Sequence, residues 1–420
     1  MPTSLSFDWE KGTWKDTQTA LDSRKSATNI CIAGDWAPIR VFKKIMETLP
    51  ESVYGDLLPI LKSADLSIAN LESPLSDRGK PVFKSGAVFK GEQCHIKALT
   101  SVPFDIVTLA NNHVFDYGID AFKDTIDVLK RNNIQWTGAG MSIKEAGKPL
   151  VVDVNDTKIA IVNFSEGEDL TCAGKGPGVM GWDLSSVEQT IKTLRSRVDF
   201  IIVISHCGIE YIPFPPPYVA RAFKKMARAG ADIVIGHHPH VPQGIEFYNG
   251  IPIIYSLGNF AFYQPTNLYY RKIGYLVNLG LNKDGLVSLE LVPYEIHDLG
   301  LSRLKGTNLQ TFWDKFKEIS KPLQDEKDLD AAWNGFLNTY GVDGFFNEIS
   351  TIMEKIKTEP EKGAAMFRNR LTTLQHYHHW KDFLTNIVEG KPDSSPEWSQ
   401  RIIKEWLTLK IEDNLDNRII

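Results

Sequence analysis

Residues 231–240 read Ala231-Asp232-Ile233-Val234-Ile235-Gly236-His237-His238-Pro239-His240, an apolar β-branched run that stops at a glycine and a turn carrying three imidazoles. The run has the length and side chains of a buried strand. Loops at the carboxyl ends of strands are where open α/β sheets place their chemistry, and neutral imidazole is the commonest protein metal ligand. His238 and His240, separated by one residue, can bite one ion or two neighbouring ions, and Gly236 lets backbone approach closely. A His-rich polar turn would read the same in isolation, so the rest of the chain decides.

Outward from this strand, short apolar runs alternate with helical patterns. Asn29–Ala33, Leu66–Ala69 and Asp105–Leu109 read as strands, with helices near Ser52–Ser63 and Glu92–Ser101 between them. A helix over Ile119–Asn132 leads to a strand and loop at Gln135–Gly140, then to a hairpin of Leu150–Val154 and Lys158–Phe164 turning at Asn155-Asp156. The helix Ser185–Arg197 feeds the strand Phe200-Ile201-Ile202-Val203-Ile204, and Pro215-Pro216-Pro217 opens a helix over Tyr218–Ala229, proline being tolerated in a first turn. After Ile251–Ser256, the alternating runs Tyr275–Leu281 and Leu286–Pro293, joined through Asn282-Lys283-Asp284-Gly285, form an antiparallel pair expected to close a sheet edge. From about Leu304 the pattern becomes helices rich in Lys, Glu and Trp, including Trp313, Trp333, Trp380, Trp398 and Trp406. The expectation is an N-terminal extension over 1–28, an α/β layered domain over 29–300 and a helical appendage over 301–420.

Hydrophobic residues make up 42% of the 420 and charged ones 24%, enough for a sizeable core. A net charge of -5 without a basic stripe argues against nucleic acid as a partner. Cys31, Cys94, Cys172 and Cys207 are scattered without a CxxC pair, which points to a reduced, cytoplasmic setting. The first residues, Met1-Pro2-Thr3-Ser4-Leu5, lack a basic and apolar leader pattern, and no run approaches the roughly 18 apolar residues of a membrane span.

Ligand-type residues recur at the ends of successive strands: Gly34-Asp35, Asn70-Leu71-Glu72, Asn111-Asn112-His113, Ser205-His206-Cys207-Gly208, the histidine turn, and Gly258-Asn259. In a parallel sheet such ends converge on one edge. Carboxylate, amide and imidazole together suit one or two divalent ions such as Mn²⁺, Mg²⁺, Fe²⁺ or Zn²⁺. The chemistry implied is hydrolytic, since a metal pair lowers the pKa of bound water and holds both attacking and leaving oxygens.

Ala33-Gly34-Asp35, Asn70-Leu71-Glu72-Ser73-Pro74, Ala110-Asn111-Asn112-His113 with Asp116-Tyr117-Gly118, Ser205-His206-Cys207-Gly208-Ile209-Glu210-Tyr211, Gly236-His237-His238-Pro239-His240-Val241-Pro242-Gln243 and Tyr255-Ser256-Leu257-Gly258-Asn259-Phe260 occur in one order. This set resembles the CapA-type capsule-synthesis proteins, a family linked to poly-γ-glutamate biosynthesis within the calcineurin-like metallophosphoesterase superfamily. The resemblance implies an αββα architecture, a metallophosphatase-like two-sheet sandwich flanked by helices. It implies Asp35, Glu72, Asn112, His206, His238 and His240 as metal ligands. His113 follows as proton donor, with Asp116 the nearest acid to tune it, and Asn70, Lys90, Glu210, Tyr211, His237 and Asn259 would bind substrate or support the ligands. Three departures stand out: Ala37 where the superfamily has a histidine, Val114 where it has an acid, and Glu72 where it has an aspartate. The first predicts one metal weakly held or missing.

Lys84 shares the segment of Lys90. Gly174-Lys175-Gly176-Pro177-Gly178 lacks the strand-to-helix setting of a phosphate loop and reads as a flexible loop. His376, His378 and His379 read as a solvated helix face, and the tryptophan stripes as packing against the sandwich. The function expected is a metal-dependent hydrolase of an anionic phosphoester or γ-glutamyl-type amide, of small-molecule, peptide or polymer form. The alternatives are a peptide Cα isomerase on the same scaffold, or a non-catalytic metal-binding component of a polymer-synthesis assembly that docks a partner through the appendage.

Overall fold

Alternate residues of each central strand point into different layers of the protein. A computed structural model describes residues 2–3, 6–16, 27–391 and 395–412; parts of the expected N-terminal extension and appendage lie outside them. In the strand Thr28–Trp36, Ile30 and Ile32 join a core shared with Ile159, Ile161, Ile202, Ile204, Ile233 and Ile235 of a second sheet. Cys31 and Ala33 face the other way, onto a core with Phe42, Met46, Leu99 and Phe122 of covering helices. Behind the second sheet, Ala160, Val162, Ile201, Val203 and Val234 pack on Val187, Ile191, Phe223 and Met226. Strands buried on both faces read as continuous apolar runs, and here they build the αββα sandwich.

The first sheet runs Thr13–Lys15, Gly285–His297, Ile273–Asn282, Thr28–Trp36, Leu66–Leu71, Ile106–Thr108, Gln135–Thr137, with Gly300–Arg303 also paired to Gly285–His297. The second runs Pro242–Tyr248, Ile251–Leu257, Ile233–His237, Phe200–His206, Thr157–Ser165, Leu150–Val154. The antiparallel hairpin does not close a sheet edge as expected. Ile273–Asn282 pairs with Thr28–Trp36 through Val277↔Ile32, so it lies inside the sheet. Gly285–His297 is flanked in turn by Thr13–Lys15 and Gly300–Arg303. Both hairpin strands alternate between the two cores, which requires cover on both faces of the sheet. The edge is closed by Trp14, itself buried.

Helices Gly306–Ser320, Glu326–Thr358, Pro360–Thr372, Leu374–Val388 and Glu397–Thr408 follow. Gly244 admits the first of them: a Cβ there would lie 2.6 Å from Ser320 Oγ and 2.8 Å from its Cα. Tyr270 stacks on Trp406 with ring centroids 3.6 Å apart. Among the described residues no helix is long and apolar enough to cross a membrane.

Candidate metal centre

Parallel register delivers the site residues in pairs. Asp35 lies beside Asn70, and His206 beside His237, so the side chains of each pair leave the sheet on the same face. A Cβ at Gly236 would sit 2.0 Å from the Tyr255 carbonyl oxygen, which is why glycine precedes the turn. His238 (φ 99°) and His240 (φ 56°) then adopt left-handed backbone, a conformation histidine tolerates better than most residues. That turn brings both imidazoles back over the end of the sheet.

Glu72 is the centre of the cluster. It is fully buried, neither carboxylate oxygen has a hydrogen-bond partner, and Oε1 lies 3.4 Å from His206 Nε2, 3.7 Å from His240 Nε2 and 3.9 Å from His113 Nε2. On one side His206 Nε2 is 3.0 Å from His238 Nδ1 and 3.1 Å from Asn112 Oδ1. On the other, Asp35 Oδ2 is 3.3 Å from His240 Nδ1 and makes no hydrogen bond, while Oδ1 accepts from Asn70 Nδ2 at 2.8 Å. His237 flanks Asp35 with Nδ1 3.4 Å from Oδ1, and neither of its ring nitrogens is hydrogen-bonded. An imidazole therefore stands beside Asp35 even though Ala37 supplies none.

Unpartnered polar atoms in a dry interior each cost about 1–3 kcal/mol, so such a group of them calls for a ligand that is not protein. Glu72, His238 and His240 alone bring one ligand atom each within 4.8 Å of one another, a set that could hold an ion. The outer nitrogens are fixed accordingly. Asn259 Oδ1 lies 2.8 Å from His240 Nδ1, and Gln375 Oε1 lies 3.2 Å from His238 Nε2. An N–H donated to an amide oxygen leaves the opposite nitrogen free for a metal, the usual way a protein orients a ligating imidazole.

The electrostatics agree. Burial, and then the Asp35 charge, push Glu72 well above the usual carboxylate range. Burial pushes His240 down, yet Glu72 and Asp35 outweigh it and hold this imidazole up at about 10. Asp35 is also opposed by burial, and His240, His237 and Asn70 together keep it below the ordinary value. His206, buried and ringed by His238, His240 and His237, is held well below the normal imidazole range and is neutral. Burial acts on all four groups, and around Glu72, Asp35 and His240 it confines two carboxylates in a dry pocket, which a divalent cation would neutralise better than protons.

Sequence spacing left the acid next to His113 open, and the structure supplies it. His113 Nδ1 lies 2.6 Å from Asp116 Oδ2, Lys84 Nζ donates to Asp116 Oδ1 at 2.9 Å and to the Asn112 carbonyl at 2.7 Å, and all three side chains are buried. Asn111 holds the loop, donating to the Leu71 carbonyl at 2.8 Å and accepting from the backbone of His113 and Val114. Glu210 reaches to 3.9 Å from His240 Nε2, and Tyr211 stacks on the His240 ring. Lys90 is not brought in: its ammonium sits over the Tyr117 ring, 4.7 Å from the centroid, whereas the neighbouring Phe89 packs on His113.

Several residues at the site carried no expectation. Glu168 accepts from Asn112 Nδ2 and Asn369 Nδ2, each at 2.8 Å, and lies 3.5 Å from His376 Nε2. Its loop leaves the end of Thr157–Ser165, so the strand-end rule that found the others would have found it. Gln375 and Asn369 come from the helical appendage, where nothing local marks them. The reading of His376, His378 and His379 as a solvated face is corrected here. His376 accepts from Arg370 at 2.6 Å beside Glu168, His378 stacks on Tyr218 at 4.3 Å, and His379 is buried against Phe336 and Tyr340. The appendage turns this face inward onto the sandwich.

The family model "Bacterial capsule synthesis protein PGA_cap" matches residues 29–264. The chain is similar to the PGA biosynthesis protein CapA of Bacillus subtilis (strain 168), 32% identical over 78% of this chain and 85% of that protein. It is also similar to the capsule biosynthesis protein CapA of Bacillus anthracis, 30% identical over 68% of this chain and 72% of the relative. Among solved structures, a 5'-nucleotidase precursor from Thermus thermophilus aligns with a TM-score of 0.42 and 13% identity, covering 70% of this chain and 58% of its own. The matched span contains every one of the six strand-end motifs, and the chain belongs to the bacterial capsule synthesis protein family.

Proposed function

We propose that this protein is a metal-dependent hydrolase of an anionic ester or amide, a phosphoester or γ-glutamyl-type bond, serving capsule or poly-γ-glutamate synthesis. One observation carries the reading: the unpaired carboxylate of Glu72 lies within 3.9 Å of three imidazole nitrogens, one of them belonging to a His113–Asp116 dyad. Glu72, Asn112, His206 and His238 would hold one ion, and Asp35, Glu72 and His240, with His237 beside them, a second. Such ions, when bound, activate water and stabilise negative charge on the reacting group.

The protein's own groups do the rest. With Nδ1 held by Asp116, His113 presents Nε2 toward the ligand cluster, positioned to protonate a departing oxygen or nitrogen. Lys84 neutralises Asp116, so the dyad rests in a balanced buried pair rather than as a bare charge. A cavity of about 260 Å³ opens from His113, His240 and Asn112 to solvent, room for one substrate unit. The names of the relatives, PGA biosynthesis and capsule biosynthesis, support the biological assignment.

The test strips the full-length protein with chelator, reloads it with Mn²⁺, Zn²⁺ or Fe²⁺ in turn, and assays p-nitrophenyl phosphate, bis(p-nitrophenyl) phosphate and a γ-glutamyl anilide. Turnover by wild type that is lost in His238→Ala and His113→Ala supports the proposal. Equal rates in all three proteins, or none with any metal, overturn it.

A further inference from the structure

Two site histidines are each packed against an aromatic ring, and each ring also carries an arginine. Phe89 packs on His113 with centroids 4.2 Å apart, and Arg40 Cζ lies 5.4 Å from the Phe89 centroid. Tyr211 stacks on His240 at 6.1 Å, and Arg271 Cζ lies 3.5 Å from the Tyr211 centroid. Neither guanidinium can therefore be more than about 10 Å from its imidazole. Both arginines line the same 260 Å³ cavity as His113 and His240.

Their hydrogen-bonding capacity is largely unspent. Arg40 donates one bond, from Nη1 to the Tyr263 carbonyl at 2.7 Å, out of five N–H donors. No described residue accepts from the Arg271 guanidinium, which is held by the Tyr211 ring alone. Arg40 also takes a left-handed φ of 54° at the start of the helix Arg40–Thr48, a strained backbone for arginine that cavity-lining residues tend to show. The carboxylates nearby do not cancel these charges. Asp169 is taken up by the Ser85 backbone and hydroxyl at 2.9 and 2.8 Å, Glu168 by Asn112 and Asn369, and Glu210 sits beside His240. Lys272 adds a third positive charge close to Arg40, with its ammonium over Tyr263 and donating to the Gln264 carbonyl. The cavity is thus lined both by Asn112, His113 and His240 of the candidate metal centre and by two planar cations with hydrogen-bond donors to spare.

We propose that Arg40 and Arg271 form an anion-binding arm of this site, recognising a second carboxylate or phosphate of a substrate whose reacting group lies at the histidines. Resting on the function proposed above, the inference narrows the substrate class to chains or small molecules with at least two acidic groups about 10 Å or less apart, one repeat unit from the bond that reacts. Guanidinium pairs bidentately with either oxyanion, so the chemistry is shared by acidic peptides and by polyphosphorylated compounds.

Calorimetric titration of the full-length Mn²⁺-loaded protein separates the sources, with γ-linked triglutamate, inorganic tripolyphosphate and single-group inorganic phosphate as probes. A charge-assisted hydrogen bond contributes about 1.5–3 kcal/mol, so Arg40→Gln and Arg271→Gln should each weaken the preferred multivalent probe about 10- to 100-fold, with a smaller loss for inorganic phosphate. Arg271→Lys, which keeps the charge over Tyr211, should recover part of the loss, and melting temperatures guard against misfolding. The proposal is overturned if wild type binds neither multivalent probe, or if both glutamine variants bind them as tightly as wild type. Because the readout is binding, an absence of turnover with every metal would defeat the hydrolase reading while arginine-dependent binding still upheld this one.

Discussion

In the proposed role of proton donor, His113 would give up a proton from Nε2 with its other nitrogen held, and the holding group is a buried pair rather than a lone acid. Asp116 sits between His113 Nδ1 and Lys84 Nζ, and also accepts from the Phe89 backbone at 2.7 Å. Removing one member of a buried ion pair leaves the other uncompensated, at a cost of about 3–5 kcal/mol, so Lys84→Met should lower thermal stability markedly. Asp116→Asn keeps the shape of the side chain, but it forfeits the charge that supports an imidazolium and likewise leaves Lys84 uncompensated, so its kinetics are to be read well below its own melting temperature. General acid catalysis contributes about 10²–10⁴-fold, so Asp116→Asn should lower kcat by roughly 10²-fold or more with little change in KM. A kcat within threefold of wild type would remove the dyad from the reaction. The sequence places Asp116 three residues past His113 but does not tell whether the turn closes between them. Lys84 gives no signal of its own, because a lysine preceding a glycine-containing loop looks solvated, whereas this one is 3% exposed.

At the scale of elements, the helix Leu374–Val388 enters the candidate metal centre by its first turn. The Gln375 backbone N–H donates to Glu166 at 3.0 Å, and its side chain meets His238. Gln375→Leu should weaken Mn²⁺ affinity by about 10- to 100-fold, as loss of such supporting partners does, and Gln375→Glu should restore it. Competition with a chromogenic chelator reads the affinity, and unchanged affinity in Gln375→Leu would show that the contact does not orient the ligand. No sequence window could have signalled this residue, because its partner lies 137 positions away and glutamine on a helix is ordinary. Strand ends were legible for the opposite reason: each candidate ligand there follows its own apolar run. The same helix buries His379 against Trp333, Phe336 and Tyr340 with Nε2 unbonded, and burial drives that imidazole down to about 3. Unfolded, it would titrate near 6.5. Between these values the unfolded chain binds the extra proton, so stability falls as pH falls, by up to about 1.4 kcal/mol per pH unit from this group. His379→Leu should therefore flatten the decline of melting temperature from pH 6.5 toward 4, and an unaltered slope would contradict the burial argument.

For the whole molecule, the alternation of apolar runs and helical patterns read out an α/β layered domain, and the six motifs read out the family and, through that resemblance, the two-sheet sandwich. What they did not convey is how the helices after residue 304 attach, since amphipathic stripes say that a face is covered without saying by what. In the structure Phe312, Trp313, Phe316, Ile319 and Trp406 belong to one buried cluster with Ile245, Tyr275 and Val277 of the sheets, and the N-terminal Phe7 and Trp14 join it. Each of these large side chains contributes about 1.5–3 kcal/mol by burial. Removing five of them at once would take away as much as the roughly 5–15 kcal/mol by which whole domains are stable, and would bare their apolar partners on the sandwich. A chain ending at Leu304 should therefore fail to give a folded monomer, even though it keeps Asp35, Glu72, Asn112, His113, His206, His238 and His240. Size exclusion should find it aggregated, and its near-ultraviolet circular dichroism should lack the sharp aromatic bands of the full chain, with or without Mn²⁺. A soluble monomer of wild-type metal affinity would instead mean that the sandwich stands alone and that the helices, Gln375 included, serve only as a cover.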